Sequence, residues 1–210
     1  MIKAALFDLD GVVVDTERQY TRFWSEIGHR YLPEIDGFAT KIKGQTLDQI
    51  YAKYFADHKD EQPHITAQLN DFERHMVFDY VPGFSDFITE LRSHQVKTAI
   101  VTSSNLDKMR NLYAAHPEVS QLFDRVFTAE DFSRSKPDPE CYLIGAAAFG
   151  VQPSECVGFE DSFNGLRAVR AAGMYVVGLA TTNDEEAIRA YCDVVIKDYT
   201  AWTHRIPLSI

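Results

Sequence analysis

Asp8 and Asp10 stand one residue apart at the end of an apolar run, Ala4-Ala5-Leu6-Phe7-Asp8-Leu9-Asp10, and Gly11 follows at once. In an extended chain residues i and i+2 point to the same side, so both carboxylates project from the end of a buried strand. Two unpaired carboxylates repel each other there, and a cation between them is the natural remedy. Glycine lets the backbone turn sharply beside whatever is bound. Alone, such a stretch is better read as an ordinary strand followed by an acidic turn. Three further stretches change the balance. Thr102-Ser103-Ser104 follows an apolar run over residues 96–101, and Glu160-Asp161-Ser162 follows another over 156–159. Ser135-Lys136-Pro137-Asp138-Pro139 sets a lysine just before a proline-started helix. A carboxylate pair, hydroxyl donors, a fixed cation and a second acidic pair are the parts that phosphoryl transfer requires.

Each part also has a plainer explanation. Thr102 or Ser104 can cap a helix, and Ser104 is expected to do so within Ser104-Asn105-Leu106-Asp107. Lys136 by itself reads as a solvated lysine, Asp138 as a turn or helix-start residue, and Glu160-Asp161 as an acidic pair favoured by a helix dipole. The joint occurrence favours chemistry for Thr102, Lys136, Glu160 and Asp161, and not for Ser104 or Asp138. His29, His58, His64, His75, His94, His116 and His204 have no partners at metal-ligand spacing and read as structural.

The elements that must position these residues follow from periodicity. After residue 15 the chain is helical in pattern: Tyr20, Phe23, Trp24, Ile27 and Tyr31 recur at helical spacing, as do Leu69, Phe72 and Met76. Loops are expected around Gly44 and over residues 57–63. Residues 16–80 therefore read as a helical module whose aromatic stripe forms its core, with Tyr20 open to either a core or a ligand role. From Val81-Pro82-Gly83 onward, helices alternate with short apolar runs, the pattern of parallel βα units. Strands are expected at 96–101, 125–128, 156–159, 174–179 and 193–196, and helices from Phe84, over 139–149, over 162–172 and over 185–191. Ligands in open parallel sheets bind beyond the carboxyl ends of the strands, which is where the loaded residues fall.

At 210 residues and 45% hydrophobic content, the chain can bury a real core. Its 21 basic and 31 acidic residues leave a net charge of -10, which opposes broad contact with nucleic acid or anionic membrane. Any anionic ligand must be held by local cations. Cys141, Cys156 and Cys192 form no C-x-x-C pair and read as buried free thiols. With no secretory pattern at the start and no long apolar run, a cytoplasmic protein is expected, as a monomer with a dimer as the alternative.

The ordered quartet Asp8-Leu9-Asp10-Gly11-Val12, Val101-Thr102-Ser103-Ser104, Ser135-Lys136-Pro137-Asp138-Pro139 and Gly158-Phe159-Glu160-Asp161-Ser162 resembles the four motifs of the haloacid dehalogenase superfamily. The spacing and the helical insertion are similar to the subgroup containing β-phosphoglucomutase and many sugar-phosphate phosphatases. The resemblance implies an α/β fold, a Rossmann-like parallel sheet flanked by helices, with residues 1–15 and 81–210 as the core and 16–80 as a helical cap. It also implies a magnesium-dependent phosphatase acting on a small phosphorylated metabolite, with a phosphosugar mutase as the alternative.

By the same resemblance, Asp8 is the nucleophile that forms an aspartyl phosphate. Asp10 is the acid and base, its backbone carbonyl helping to hold Mg2+. Asp161 is a direct metal ligand, Glu160 a direct or water-mediated one, and Asp8 completes the set. Thr102 and the Ser103 backbone bind phosphoryl oxygens, and Lys136 neutralises them. Gly44, Gln45 and Thr46, after Lys43, are candidate substrate contacts from the cap, although a glycine turn between helices explains them equally well. Where β-phosphoglucomutase has a histidine this chain has Tyr20, and where it has a phosphate-binding cap arginine this chain has Leu47. Leucine cannot pair with phosphate, so these departures favour a phosphatase over a mutase.

Overall fold

Short apolar runs make six strands: β1 (Ala4–Phe7), β2 (Lys97–Val101), β3 (Arg125–Phe127), β4 (Cys156–Glu160), β5 (Tyr175–Leu179) and β6 (Val194–Ile196). In the computed structural model, which describes residues 1–201, they pair in parallel in the order β3-β2-β1-β4-β5-β6. Side chains alternate across the sheet, so Ala5 and Phe7 of β1 enter one apolar cluster while Ala4 and Leu6 enter another. Phe7 lies in register with Phe159 of β4 and stacks on it at 4.4 Å between ring centroids. That pair holds the two central strands together directly beneath Asp8 and Glu160.

The first four helices follow β1: α1 (Glu17–Tyr31), α2 (Phe38–Lys41), α3 (Leu47–Tyr54) and α4 (Gln62–Arg74). They bury a cluster of their own that includes Trp24, Ile27, Phe38, Phe55, Ile65 and Leu69. The remaining helices are α5 (Phe84–Ser93), α6 (Leu106–Ala115), α7 (Val119–Leu122), α8 (Glu140–Ala148), α9 (Phe163–Ala171) and α10 (Glu185–Ile188). Helices α5, α6 and α7 contribute to the cluster on one face of the sheet, and α8, α9 and α10 to that on the other. The result is the Rossmann-like layered architecture expected from the alternation of helical and strand patterns. No helix among the described residues is long and apolar enough to cross a membrane.

Local details depart from the sequence pattern in three places. Helix α4 starts at Gln62 and takes Pro63 into its first turn, where a missing N–H costs nothing, so the expected loop over 57–63 is shorter. It ends at Arg74, and Met76 instead packs into the sheet-side core. The helix expected over 185–191 is one α turn, α10, continued by a 3-10 turn at Arg189–Tyr191.

The strand order reverses around β1, so a crevice opens past the ends of β1, β2 and β4, the place where such sheets bind ligands. Asp8 follows β1, Thr102 follows β2, and Glu160 is the last residue of β4. Gly11 has φ of +73°, and a Cβ there would overlap the Asp161 carboxylate, so only glycine lets the chain turn away beside the acidic pair.

Candidate active site

The four sequence stretches converge. Lys136 is 5% exposed, and its ammonium donates to Asp8 Oδ1 at 2.7 Å, Glu160 Oε1 at 2.6 Å and the Val101 carbonyl at 3.1 Å. One cation thus ties together β1, β2 and β4. Glu160 is fully buried, and its Oε1 also accepts from the Tyr142 hydroxyl at 2.7 Å. Its other oxygen accepts from the Asp161 N–H and the Ser162 hydroxyl, each at 3.3 Å. Ser162 in turn caps α9, accepting from the Gly165 N–H at 3.1 Å.

Asp161 is buried, with Thr182 Oγ1 donating to its Oδ2 and the Asn183 amide donating to its carbonyl at 2.9 Å. Carboxylate oxygens of Asp8, Glu160 and Asp161 lie within 4.8 Å of one another. Burial pushes the Asp8 carboxyl up to about 7, with Lys136 opposing and Glu160 and Asp10 adding to the rise. Burial also lifts Asp161 well above the ordinary carboxylate range, helped by the charges of Glu17, Glu160 and Asp8. For Lys136 burial works against the charge, yet Asp8 and Glu160 outweigh it and raise its pKa. A buried acidic cluster with one lysine is short of positive charge. Hard carboxylate oxygens at this spacing suit a divalent cation such as Mg2+, so the donor set fits one.

Asp10 points elsewhere. Lys108 Nζ donates to both of its carboxylate oxygens at 2.5 Å, Thr16 Oγ1 donates to Oδ1, and Ser104 Oγ donates to Oδ2 at 3.1 Å. Ser104 is therefore not the cap of α6. Asn105 is, accepting from the Lys108 N–H at 2.9 Å, which leaves the Ser104 hydroxyl free to face Asp10. Thr102 is buried at the end of β2, and its hydroxyl oxygen accepts from the Ser104 N–H at 3.0 Å. Ser103 lines the cavity beside it.

The helical insertion roofs a cavity of about 420 Å³ above these groups. Gly44, Gln45 and Thr46 line it, but the Gln45 and Thr46 side chains are engaged within the insertion. Gln45 donates to the Lys41 carbonyl at 2.7 Å, and Thr46 caps α3 in a reciprocal box with Gln49. Gly44 comes against α9: Asn164 donates to its carbonyl at 3.0 Å, and a Cβ there would meet the Ser162 side chain at 2.8 Å. Tyr20 packs against the core clusters and also lines the cavity. Its hydroxyl donates to Glu73 Oε1 at 2.7 Å.

Asp138 is a helix-start residue, accepting from the Glu140 N–H at 3.0 Å. Among the described histidines none lines the cavity, and His204 lies outside the described residues. The three cysteines are free; Cys141 and Cys156 are buried as expected, and Cys192 is half-buried. Lys108, Thr16, Tyr142 and Thr182 were not legible as site residues from their types or spacing. Each belongs to a different stretch from the carboxylate it contacts, and spacing along the chain carries no trace of such meetings.

A family model described as haloacid dehalogenase-like hydrolase matches residues 2–173. The chain belongs to this family. Validoxylamine A 7'-phosphate phosphatase of Streptomyces hygroscopicus subsp. limoneus is 34% identical, covering 97% of this chain and 98% of that protein. β-Phosphoglucomutase of Bacillus subtilis is 28% identical over 85% of this chain and 83% of its own. Among solved structures, CbbY from Rhodobacter sphaeroides in complex with phosphate superimposes with a TM-score of 0.77 at 24% identity, covering 96% of each chain, a likeness that shows the fold. Within this family of hydrolases, the chain's four motifs all sit on one rim of the sheet.

Proposed function

We propose that this haloacid dehalogenase-like hydrolase is a magnesium-dependent phosphatase that cleaves a small phosphomonoester, a sugar phosphate, through an aspartyl phosphate on Asp8. The observation that carries the reading is the buried contact of Lys136 with both Asp8 and Glu160, beside Asp161, at the floor of the roofed cavity. The similarity over nearly full length to a phosphatase of a phosphorylated metabolite supports the substrate class. Leu47, which lines the cavity where a mutase would need an arginine, supports hydrolysis over return of the phosphoryl group to a sugar.

In this reading an Asp8 carboxylate oxygen attacks phosphorus in line, and the bond from phosphorus to the leaving oxygen breaks. Asp10 gives that oxygen a proton and then takes one from the water that attacks the aspartyl phosphate, releasing inorganic phosphate. Lys136 and the Thr102 hydroxyl, with the Ser103 N–H, hold the phosphoryl oxygens. Asp8, Asp161 and the Asp10 carbonyl are the groups that would hold Mg2+; Glu160, with Oε1 already shared by Lys136 and Tyr142, acts through water. When bound, the ion neutralises charge on the transferring group. Residues 16–80 form the cap: they exclude bulk water and carry the substrate contacts, Gly44, Gln45 and Thr46 among them.

The test is a panel of sugar and polyol monophosphates with Mg2+, measuring released phosphate, repeated in chelator. Release that disappears in chelator and returns with Mg2+ is expected. Phosphosugar interconversion with negligible phosphate release, or full activity in chelator, overturns the reading.

A further inference from the structure

Two lysines among the described residues are buried, and each faces one of the two motif aspartates: Lys136 lies on Asp8, and Lys108, 2% exposed, lies on Asp10. Burying an ammonium costs several kcal/mol unless a partner compensates, so the second lysine calls for an explanation as much as the first. We propose that Lys108 is a positioning residue for Asp10, fixing the rotation of its carboxyl group and linking that group to the cap; Asp10 takes up a proton from solvent before it passes one to the leaving oxygen. The inference rests on the phosphatase reading above.

Three features carry it. First, Lys108 Nζ is 2.5 Å from each Asp10 oxygen, so a single ammonium straddles the carboxylate and sets its rotation. Thr16 and Ser104 then hold one oxygen each. Second, the backbone of Lys108 is itself fixed, because its N–H is the one that Asn105 caps at the start of α6. The lysine is thus anchored to the same segment that carries Thr102 and Ser104. Third, the ammonium also lies 4.5 Å from the Tyr20 ring centroid, and the Tyr20 hydroxyl donates to Glu73. Tyr20 is on α1 and Glu73 on α4, so core and cap meet at this cation. A general acid works only within hydrogen-bond reach of the oxygen it protonates, and misplacement by about 1 Å can cost about 100-fold.

The role separates from a merely structural one by leaving group. Nitrophenolate departs without a proton, whereas a sugar alkoxide needs one, and kcat/KM reports the step in which the ester is cleaved. For Lys108→Met, kcat/KM on the sugar monophosphate that the wild type hydrolyses fastest should fall by about 100-fold, while that on p-nitrophenyl phosphate should fall by less than about 3-fold. In an Asp10→Asn background the same substitution should add no further loss on the sugar phosphate. If Lys108→Met does not fold, Lys108→Gln provides the same comparison with a shorter donor in place.

Equal losses on the two substrates, a rise in KM with kcat unchanged, or losses that add to those of Asp10→Asn would each overturn the role of Lys108. A wild-type protein that releases phosphate from no monophosphate overturns the parent reading instead.

Discussion

Asp8 poses a problem that its neighbours must solve, since burial lifts its carboxyl above the ordinary range and disfavours the ionised form, the only one that attacks phosphorus. Lys136 works toward ionisation, and a divalent cation against Asp8 and Asp161 would complete it. Asp8→Asn should therefore keep the fold and reduce turnover by at least about 1,000-fold, because an amide cannot form the acyl phosphate. Phosphate release from rigorously purified variant, compared with its circular dichroism, checks this. The same charge argument predicts that Mg2+ stabilises the wild type, by about 2.7 kcal/mol when its concentration is 100-fold above Kd, and much less in Asp161→Asn. Thermal melts with and without the ion would show it, and equal shifts in both proteins would remove Asp161 from the ligand set. These aspartates were legible in the sequence because a motif that ends a strand is both an apolar pattern and a chemical one. Lys108 was not, since a lysine in the first turn of a helix looks the same whether water or Asp10 faces it.

At the scale of the element, the turn from β4 into α9 is what presents the second acidic pair. Its geometry depends on Gly165, where a Cβ would overlap the Glu160 carboxylate. Glu160 cannot simply step aside, being held by Lys136 and Tyr142 at 2.6 and 2.7 Å. Gly165→Ala should cost about 1–3 kcal/mol in stability, as other overpacked sites do, and lower kcat at least about tenfold by displacing Lys136. Gly150→Ala is the control. Its φ is +65° but nothing lies within 4 Å of the added methyl, so it should cost about 1–2 kcal/mol and leave kcat unchanged. Denaturant melts and initial rates on both variants decide the matter, and a fully active Gly165→Ala would deny Glu160 its place. The alternation of helix and strand was readable throughout because each buried strand and each helix face repeats its own period. Helix ends were read less well, as Pro63 shows: a proline marks a loop or a first turn, and only the packing of Ile65 and Leu69 within the helical insertion selects the turn.

Across the whole molecule, the helical insertion and the strand ends enclose a cavity whose charge is mainly negative. Glu17, Asp48, Glu73 and Asp107 line it in addition to the motif aspartates, while Lys43, Lys108 and Lys136 are each paired with a carboxylate. Burial raises the Glu17 and Glu73 carboxyls above their ordinary range, with lysines opposing in both cases. In the proposed reading the phosphoryl group sits beside Lys136, and among the described residues that line the chamber there is no arginine to hold a second. Small monophosphates should therefore be accepted, and a second phosphate should gain little. Leu47 is the first residue of α3 and lines the chamber, so Leu47→Arg puts a cation where the added charge would lie. It should tighten binding of a sugar bisphosphate by about 1–3 kcal/mol, the scale of a charge-assisted hydrogen bond, and leave turnover of p-nitrophenyl phosphate nearly unchanged. Both ligands must be measured on both proteins, because a general change in cap closure would move the two together. If the wild type already prefers a bisphosphate strongly, one of the paired lysines must leave its carboxylate to bind it, and the preference for hydrolysis over phosphoryl return loses its main support.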